Sequence, residues 1–404
     1  MPPATNAFEN SPLGLYVHVP FCVKRCDYCA FYSEVARRDA IEAWLGGIER
    51  ELSLSPLPRA ADTFFFGGGT PGVLTAKDFE KLGRIVVAAN GGVAPREWSV
   101  EIAPSTASAE KLRVMRDIGV NRISLGVQSF DAATLKILGR IHSASVAEAA
   151  YKKIRDAGFD NVNIDMIFAV PGEAPSRWRS DLRRVVSLSP EHVSAYCLIL
   201  ETGAPLLKRL ENSPHFDPRE KSPEREKALY AETWNFLREN GYAQYEVANH
   251  ARRGRECVHN LNTWRMHEWL GVGPAAASQI GGRRFANQAN LARWLEGLAS
   301  GVLARYDEVA PRPVDFFADS LIFGLRMNEG VCVRALAERF LGAGATIPAA
   351  LEELFKNLQA ENYLAQTSDY FAPTPDSAGR IALNADGLLV ADAIGEAILE
   401  ALDT

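Results

Sequence analysis

Three cysteines lie within eight residues near the start of the chain, at Cys22, Cys26 and Cys29 in the segment PFCVKRCDYC. The segment follows LYVHV, an apolar run after which a chain leaving a strand would turn into a loop. Thiolates are soft ligands that select zinc, copper(I) or iron–sulfur clusters. Loop cysteines separated by three and then two residues can converge on one cluster. The spacing therefore predicts a metal centre in this loop.

Two kinds of metal centre fit three cysteines. A structural zinc site is closed by four protein ligands, so it would need one more, for which His18 is the nearest candidate. A four-iron cluster held by three thiolates keeps one iron open for a substrate, by analogy with the open position of catalytic zinc. The spacing and its surroundings favour the cluster, and zinc remains the alternative.

The composition is that of a soluble globular protein. The chain has 404 residues, of which 47% are hydrophobic and 23% charged, and it is long enough for two domains. A formal net charge of -6 argues against nucleic-acid binding, which usually requires a basic domain. The amino terminus has no basic flank or apolar stretch, so we expect a cytoplasmic protein. We expect Cys197, Cys257 and Cys332 to be buried apolar residues rather than ligands.

Short apolar strands alternate with amphipathic helical segments from residue 13 to about residue 200. The strand candidates are LGLYVHV, TFFF, WSVEIA, RISLGV, VNIDMIFA and HVSAYCLIL. Among the helical segments, one opens with Thr75 and Asp78 in a capping-box arrangement. Repeated strand–helix units predict a parallel sheet with right-handed crossovers, as an open three-quarter barrel or a doubly wound sheet. Periodicity alone leaves both architectures open.

Glycine and polar residues follow these strands at their carboxyl ends, where barrel enzymes carry their active sites. A triple glycine, Gly67 to Gly69, comes directly after TFFF and indicates close approach of the backbone to a ligand. Glu101, Gln128 and Asp165 lie in or directly after three of the other strands. A binding site at this edge of the sheet is therefore expected.

The second half of the chain contains a loop-like segment over residues 201–222, a helix capped by Ser222, and a polar, glycine-rich cluster over residues 249–288. The sequence APRPVD near residue 310 predicts a boundary between domains 1–309 and 310–404. Beyond it we expect three helices, a short strand and a last helix, in a mainly helical, winged-helix-like domain. Since this domain shows no basic recognition face, we expect it to pack or act as a lid rather than bind DNA.

The segment YVHVPFCVKRCDYC resembles the signature of the radical S-adenosylmethionine superfamily. From about residue 13 to the C-terminal domain, the chain is similar to the HemN and HemW branch. The shared motifs are GGGTP, RISLGVQSFDAATLKILGRIH, NIDMIFAVPG, HVSAYCLILETGAPL, HNLNTW and GVGPAAAS, in that order. The resemblance implies an α/β fold with a partial (β/α)6 TIM-like barrel. It also implies a 4Fe-4S cluster whose open iron binds S-adenosylmethionine, which an electron from the cluster cleaves to a 5'-deoxyadenosyl radical.

The resemblance further implies which residues form the cofactor site. Tyr16 and Tyr28 would line the cofactor, and Gly68, Gly69 and Thr70 would receive its amino-acid part. Polar contacts to the amine, ribose and carboxylate would come from Glu101, Gln128, Arg140 and Asp165, and the backbone of Ala277 would touch the adenine side. From the residues alone, core packing, turn formation, helix capping and surface exposure are the alternatives.

Two departures place the chain within the branch. Coproporphyrinogen oxidase members carry a fourth cysteine two positions after the third, where this chain has Phe31, and a longer segment precedes their cluster than the 21 residues before Cys22. Both departures favour the HemW type, which binds haem and delivers it to acceptors such as respiratory enzymes, meeting membranes only through such partners.

A radical enzyme that acts on porphyrinogen or transfers a methyl or methylene group is the alternative. Turnover of S-adenosylmethionine, the acceptor and the oligomeric state are left open.

The HemW-type haem motif HNxxYW corresponds to His259, Asn260 and Trp264, with Thr263 at the tyrosine position. A histidine can bind haem iron axially and a tryptophan can stack on the ring, so the resemblance makes His259 a candidate haem ligand. A hydrogen-bonding or surface histidine is the alternative. Five arginines that could pair with propionates or with an acidic partner, or form a solvated patch, are Arg252, Arg253, Arg255, Arg283 and Arg284.

Overall fold

The computed structural model describes residues 7–8, 11–213, 221–365 and 380–403. The strands, numbered in chain order, are β1 Leu13–Val19, β2 Phe21–Cys22, β3 Glu34–Val35, β4 Thr63–Gly68, β5 Glu97–Ile102, β6 Arg122–Gln128, β7 Val162–Phe168, β8 His192–Cys197, β9 Ala243–Gln244, β10 Asn249–Ala251, β11 Glu268–Val272, β12 Ala277–Ile280, β13 Arg283–Asn287, β14 Arg305–Val309, β15 Val331–Cys332 and β16 Arg380–Ile381. The helices are α1 Arg38–Leu54, α2 Ala76–Ala89, α3 Ala109–Asp117, α4 Ala132–Ile137, α5 Ala144–Asp156, α6 Pro175–Leu188, α7 Pro205–Glu211, α8 Pro223–Glu239, α9 Val258–Trp264, α10 Leu291–Ala299, α11 Pro313–Leu325, α12 Val333–Leu341, α13 Ala349–Ala360, α14 Ala385–Leu388 and α15 Ala391–Asp403.

Six parallel strands form the centre of the main sheet. They are β1, β4, β5, β6, β7 and β8, and they lie side by side in chain order with every neighbouring pair parallel. The order never reverses, so the sheet lacks the switch point of a doubly wound fold. The outer two strands pair outwards, β1 with β11 and β8 with β10, rather than with each other. The predicted partial barrel is confirmed, and each predicted strand is present.

The polar, glycine-rich segment after residue 249 extends this sheet. It contains α9 and the strands β10 to β13, and with β9 and β14 it brings the sheet to twelve strands. These strands are three to five residues long and separated by glycine turns, which is too short for a clear period-2 pattern. At one edge, β14 is exposed and irregular, with Asp307 at φ 51 and a register shift in its pairing with β13. At the other edge, β9 is two residues long.

The segment predicted as a loop over residues 201–222 is helical in part, since α7 occupies Pro205–Glu211. Residues 214–220 of that prediction lie outside the described residues. Ser222 caps α8 as predicted, and Thr75 and Asp78 form the predicted capping box of α2. In the described parts of the chain, no helix combines the length and apolar character needed to cross a membrane.

The C-terminal part is mainly helical and has its own core. The order α11, β15, α12, α13, a bridge at Leu364 and β16 is that of a winged helix, although residues 366–379 lie outside the described ranges. A hydrophobic cluster built mostly from these elements includes Phe316, Phe340 and Ile398. Because β14 ends at Val309 and α11 begins at Pro313, we propose that residues 310–404 form the predicted second domain.

The turn after β4 is bonded to the chain just before the first cysteine. The Gly69 N–H donates to the Val19 carbonyl over 2.9 Å, and the Thr70 N–H donates to the Phe21 carbonyl over 2.7 Å. A Cβ atom on Gly69 would lie 2.7 Å from the Phe21 carbonyl oxygen. Gly68 has φ +103, in the region that favours glycine, and its own Cβ would lie 2.6 Å from the His18 ring. Glycine is therefore required sterically at both positions.

A buried carboxyl joins the added strands to the barrel. Glu51 of α1 is 2% exposed and accepts from the Gly273 N–H at 2.7 Å, from Asn287 Nδ2 at 2.6 Å and from Trp294 Nε1 at 3.2 Å. Burial outweighs these three donors and raises the pKa of Glu51 to about 7. Its ionised form is therefore disfavoured in the folded protein.

Replacing Glu51 by glutamine should change how stability depends on pH. Since the folded pKa is raised above the ordinary value, the wild type loses stability as pH rises from about 4.5 to about 7, by up to about 3 kcal/mol. Glu51→Gln lacks that loss, so its unfolding midpoint relative to wild type should rise across this range. The matched control is Glu49→Gln at an exposed site on the same helix. A difference between Glu51→Gln and wild type that stays constant from pH 5 to pH 8 would contradict the assignment.

Two glycine-to-alanine variants should have opposite effects on stability. Gly69→Ala places a methyl group against backbone atoms and should lower the free energy of unfolding by about 1–3 kcal/mol. Gly46→Ala, in the exposed interior of α1 with nothing within 4 Å of the added Cβ, should raise it by up to about 1 kcal/mol. Denaturant unfolding of the two variants measures both, and equal effects would argue against the close approach at Gly69.

Candidate cofactor site

A cleft of about 510 Å³ opens at the carboxyl ends of the parallel strands. The cysteine loop, the glycine turn after β4 and the ends of β5 to β8 line it. Most of the residues predicted for the cofactor site are among its lining residues: Cys22, Cys26, Cys29, Tyr28, Gly68, Gly69, Thr70, Glu101, Gln128, Arg140 and Asp165. Because parallel strands end at the same edge, residues far apart in sequence meet here.

The three cysteines are half-buried in this cleft. Arg140 Nη1 donates to Cys26 Sγ over 3.2 Å, and Thr70 Oγ1 lies 3.6 Å from Cys22 Sγ. The loop thus presents its sulfurs to the cleft next to a fixed positive charge.

The cysteine loop is held in place through Asp27. Its N–H donates to the Leu138 carbonyl at 3.2 Å, its carbonyl accepts from the Leu206 N–H at 2.7 Å, and its carboxylate pairs with Arg209. Gly139 has φ +71, and a Cβ there would lie 2.6 Å from the Asp27 carboxyl carbon. The end of α4 and the helix α7 therefore hold the loop through Asp27.

Two carboxyl groups face the cleft from strands β5 and β7. Asp165 accepts from Ser124 Oγ at 2.9 Å and from Asn163 Nδ2 at 2.7 Å. Burial and the nearby charge of Asp165 raise the pKa of Glu101 to about 8, although the Gly68 N–H opposes the shift. Burial also raises the pKa of Asp165. A cation bound between them would stabilise both ionised forms, so the pair fits an ammonium or sulfonium ligand.

Gln128 and Arg140 approach the cleft from the end of β6 and the segment after α4. Gln128 has φ 69, in the left-handed region, where the register between β6 and β7 shifts. Such backbone strain in a residue other than glycine is concentrated at functional sites. Arg140 Nη2 donates to the Gly126 carbonyl at 2.5 Å, whereas its buried Nε has no hydrogen-bond partner in the described structure. The site therefore contains an unsatisfied buried donor, which a ligand could satisfy.

The residues fit a cluster better than a zinc ion. His18, the candidate fourth zinc ligand, is buried, with Nε2 3.0 Å from the Tyr32 carbonyl and Nδ1 3.2 Å from the Tyr16 hydroxyl. In the described ranges, no three His, Cys, Asp or Glu side chains are close enough to hold one metal ion. Zinc requires all its sulfur ligands about 2.3 Å from a single ion, whereas cluster thiolates are spread over several irons.

Two predicted cofactor residues do not line the cleft. Tyr16 is half-buried in β1, with its hydroxyl 3.2 Å from His18 Nδ1 and its ring 6.3 Å from that of Phe65. Ala277 is exposed at the start of β12, and its carbonyl accepts from Trp269 Nε1 at 3.0 Å. Burial raises the pKa of Tyr16, which nevertheless lies close enough to Glu101 of the cleft for the charge of that carboxylate to raise this pKa further.

His259 lies at the opposite end of the barrel from the cysteines. It is 7% exposed in α9, its Nδ1 is 2.8 Å from the hydroxyl of Thr63 at the start of β4, and its ring stacks on Phe65 at 5.2 Å. Burial, with a smaller effect of Arg122, lowers its pKa to about 4. Trp264, from the same motif, packs against Phe323 of α11 at 5.8 Å. The motif is therefore embedded between the barrel and the C-terminal helices.

Four of the five arginines considered for propionate binding are engaged within the protein. Arg255 pairs with Asp160, Arg283 with Glu308 and Arg284 with Asp319. Arg252 donates to the Pro190 carbonyl and stacks on Tyr242. Arg253 is exposed. These five arginines therefore do not form one open anion-binding site.

A buried hydrogen-bond chain inside the barrel was not predicted. Asn163, which donates to Asp165, has its Oδ1 2.7 Å from His192 Nδ1, and His192 Nε2 is 2.7 Å from the Tyr245 hydroxyl. The Cys257 N–H donates to that hydroxyl at 3.4 Å. Two polar residues in otherwise apolar strands, Asn163 and His192, were the available sequence signal. Asn163 thus links Asp165 to His192.

The lining of the cleft also includes residues that the sequence did not identify. Tyr196, Cys197 and Ile199 come from the end of β8 and the segment after it. Cys197 was expected to be buried, but it is half-buried and lies 3.9 Å from Lys221 Nζ, and burial raises its pKa to about 12. Its position at the end of a predicted parallel strand was the signal that it could face the site.

Comparisons with known proteins agree with this geometry. The family described as Radical SAM superfamily matches residues 16–185. The protein named Heme chaperone HemW from Synechocystis sp. is 30% identical over 408 residues, covering 97% of this chain and 97% of the relative. That of Escherichia coli (strain K12) is 30% identical over 386 residues, covering 92% and 96%.

Among solved structures, coproporphyrinogen III oxidase (HemN) from Escherichia coli, a radical SAM enzyme, has a TM-score of 0.79. The two chains are 23% identical, and the likeness covers 98% of this chain and 92% of that one. At this identity the likeness shows a shared fold. The relatives at 30% identity over nearly the whole length show that the chain belongs to the HemW branch of the radical SAM superfamily.

Proposed function

We propose that this protein binds a 4Fe-4S cluster, S-adenosylmethionine and haem, and delivers haem to acceptor proteins. The observation that carries the proposal is the convergence of three cysteines, a glycine turn and two carboxyls with raised pKa values in one cleft. The names of the relatives, which are described as heme chaperones, support the haem step.

Cys22, Cys26 and Cys29 would hold the cluster, which supplies an electron and an open iron when bound. The chain's own residues bind and orient the cofactor. The Gly69 and Thr70 segment presents its backbone to the amino-acid part, and Glu101 and Asp165 provide negative charge for the cationic centres. Arg140 keeps a positive charge beside Cys26.

Phe31 supports haem delivery over porphyrinogen oxidation. It is 69% exposed and lines the cleft, at the position where oxidase members carry a fourth cysteine. An exposed phenyl ring provides neither a thiolate ligand nor a proton donor there. The likeness to the oxidase extends to the fold, and chemistry depends on the site rather than on the fold.

Anaerobic reconstitution with iron and sulfide should load the wild type with a cluster. Cys22→Ala, Cys26→Ala and Cys29→Ala should each lose most of the bound iron and sulfide, because each removes a thiolate ligand. Cys332→Ala, in the C-terminal part of the chain, is the matched control and should load normally. Iron and sulfide analysis with visible absorbance measures this, and stoichiometric zinc in place of iron would contradict the cluster.

The reconstituted protein should bind haem without converting porphyrinogen. Haem titration followed by absorbance, with assays for 5'-deoxyadenosine and for oxidised coproporphyrinogen III, separates the two functions. Saturable haem binding and transfer to an apo-haem protein support delivery. Turnover of coproporphyrinogen III, or methylation of an added acceptor, would show a radical enzyme instead.

A further inference from the structure

The histidine of helix α9 is held against the barrel by its main chain and by its ring. The Glu97 carboxylate accepts from the His259 N–H at 3.0 Å. The His259 ring has its Nδ1 2.8 Å from the Thr63 hydroxyl and stacks on Phe65, and a Cβ atom added to Gly14 would lie 2.9 Å from it. Because the ring is enclosed in this way, haem can reach His259 only after α9 has moved away from the barrel.

The C-terminal helices cover another side of α9. The Trp264 ring at the end of α9 is 5.8 Å from the ring of Phe323 in α11, and the Arg326 guanidinium lies over the same indole at 5.8 Å. The next residue, Arg265, donates two hydrogen bonds of 2.8 Å to the Glu329 carboxylate. Helix α9 therefore lies between the barrel and α11, and its movement requires the C-terminal helices to move as well.

The chain that leaves α9 is anchored in the core of the C-terminal part. Met266 is 2% exposed and belongs to the same hydrophobic cluster as Phe316 of α11. Arg339 of α12 donates to the carbonyl groups of Arg265 and Met266 at 3.2 and 3.0 Å. Side-chain packing and main-chain hydrogen bonds thus join this segment to the C-terminal part. We call Trp264, Arg265 and Met266 the joint.

The enclosed arrangement of α9 has unfavourable local features. Met266 has φ 54, a left-handed conformation that is costly for a residue with a side chain. The buried Nδ2 of Asn262 and the buried Nδ1 of His267 have no hydrogen-bond partner among the described residues, and such unpaired groups lower stability. A helix of seven residues is also too short to be stable by itself. Contacts with the C-terminal part must offset these costs, so weakening those contacts should release the helix.

We propose that the C-terminal part acts as a gate for haem. Docked on the joint, it keeps α9 closed on the barrel, and haem binds His259 only in an open state in which the docking contacts are broken. The inference rests on the proposed function, namely that this protein binds haem, and it adds how access to the ligand is controlled. Since only the open fraction binds, the apparent Kd is the intrinsic Kd divided by that fraction. A change that weakens docking should therefore tighten haem binding.

The test is a haem titration of the cluster- and cofactor-loaded protein and of variants in the docking contacts. Glu329→Gln removes the ion pair with Arg265 and should lower the Kd for haem about two- to fivefold. Phe323→Ala removes the ring that packs on Trp264 and should lower the Kd by up to about tenfold. A substitution that only damages the fold would weaken binding, so a gain in affinity is specific to the gate.

Two exposed residues elsewhere in the C-terminal part provide matched controls. Glu353→Gln removes an ion pair with Lys356 inside α13, and Leu399→Ala shortens an exposed side chain of α15. Neither residue contacts the joint, so both variants should keep the Kd of the wild type. Equal gains in affinity in the controls and in the docking variants would overturn the gate.

Hydrogen–deuterium exchange of the wild type with and without haem measures the opening directly. The Asn328 N–H donates to the Tyr245 carbonyl at 3.0 Å, which is a main-chain bond between the C-terminal part and the segment before β10. Haem should speed exchange at Asn328, because the bound state is the open one. Unchanged or slower exchange there would contradict the gate.

The outcomes separate this inference from the proposed function. If neither the wild type nor Phe323→Ala binds haem, the proposed function itself is refuted. If the wild type binds haem and both docking variants bind it with the same or lower affinity, haem binding stands and the gate is overturned. Adding His259→Ala to Phe323→Ala should abolish the gain in affinity, and a gain that persists without His259 would also overturn the gate.

Discussion

The cleft depends on two backbone hydrogen bonds that join the turn after β4 to the end of β1 and the start of β2. Gly69 donates to Val19 and Thr70 donates to Phe21, and the next residue is the first cysteine. The approach is too close for any side chain at Gly69. The position of Cys22 is therefore fixed by the main chain of the sheet, and the cysteine loop starts from a rigid point.

Among the lining residues that are not exposed, charge within the cleft is divided between two acidic side chains, Glu101 and Asp165, and one basic side chain, Arg140. Glu101 and Asp165 are costly to ionise while no cation is present, because burial raises both of their pKa values. Arg140 is directed to the other side, toward Cys26, and keeps one donor unsatisfied. These buried polar groups lower the stability of the folded protein locally, and the large apolar core of the barrel offsets that cost.

The six parallel strands are predictable from the sequence because they are mostly apolar and the segments between them have helical patterns, whereas the choice of a partial barrel came from the family resemblance. The strand LGLYVHV matches β1 residue for residue, and the caps at Thr75 and Ser222 are formed as expected. Most candidate cofactor residues meet in one cleft because parallel strands end together. The short strands after residue 249 and the burial of His259 could not be predicted, since both depend on which distant segments pack together. A motif identifies residues that belong to one function, but the surrounding fold decides whether a side chain is accessible.

The two outer strands of the twelve-stranded sheet have a consequence for how the protein behaves at high concentration. An exposed strand edge is a template for pairing with another molecule, which leads to aggregation. Here β9 offers only two residues, and β14 is interrupted by the left-handed Asp307 and carries Glu308 in an ion pair with Arg283. Neither margin presents a long, flat row of free amide groups. Although the barrel is open, its two edge strands are therefore protected against edge-to-edge pairing with another copy of the chain.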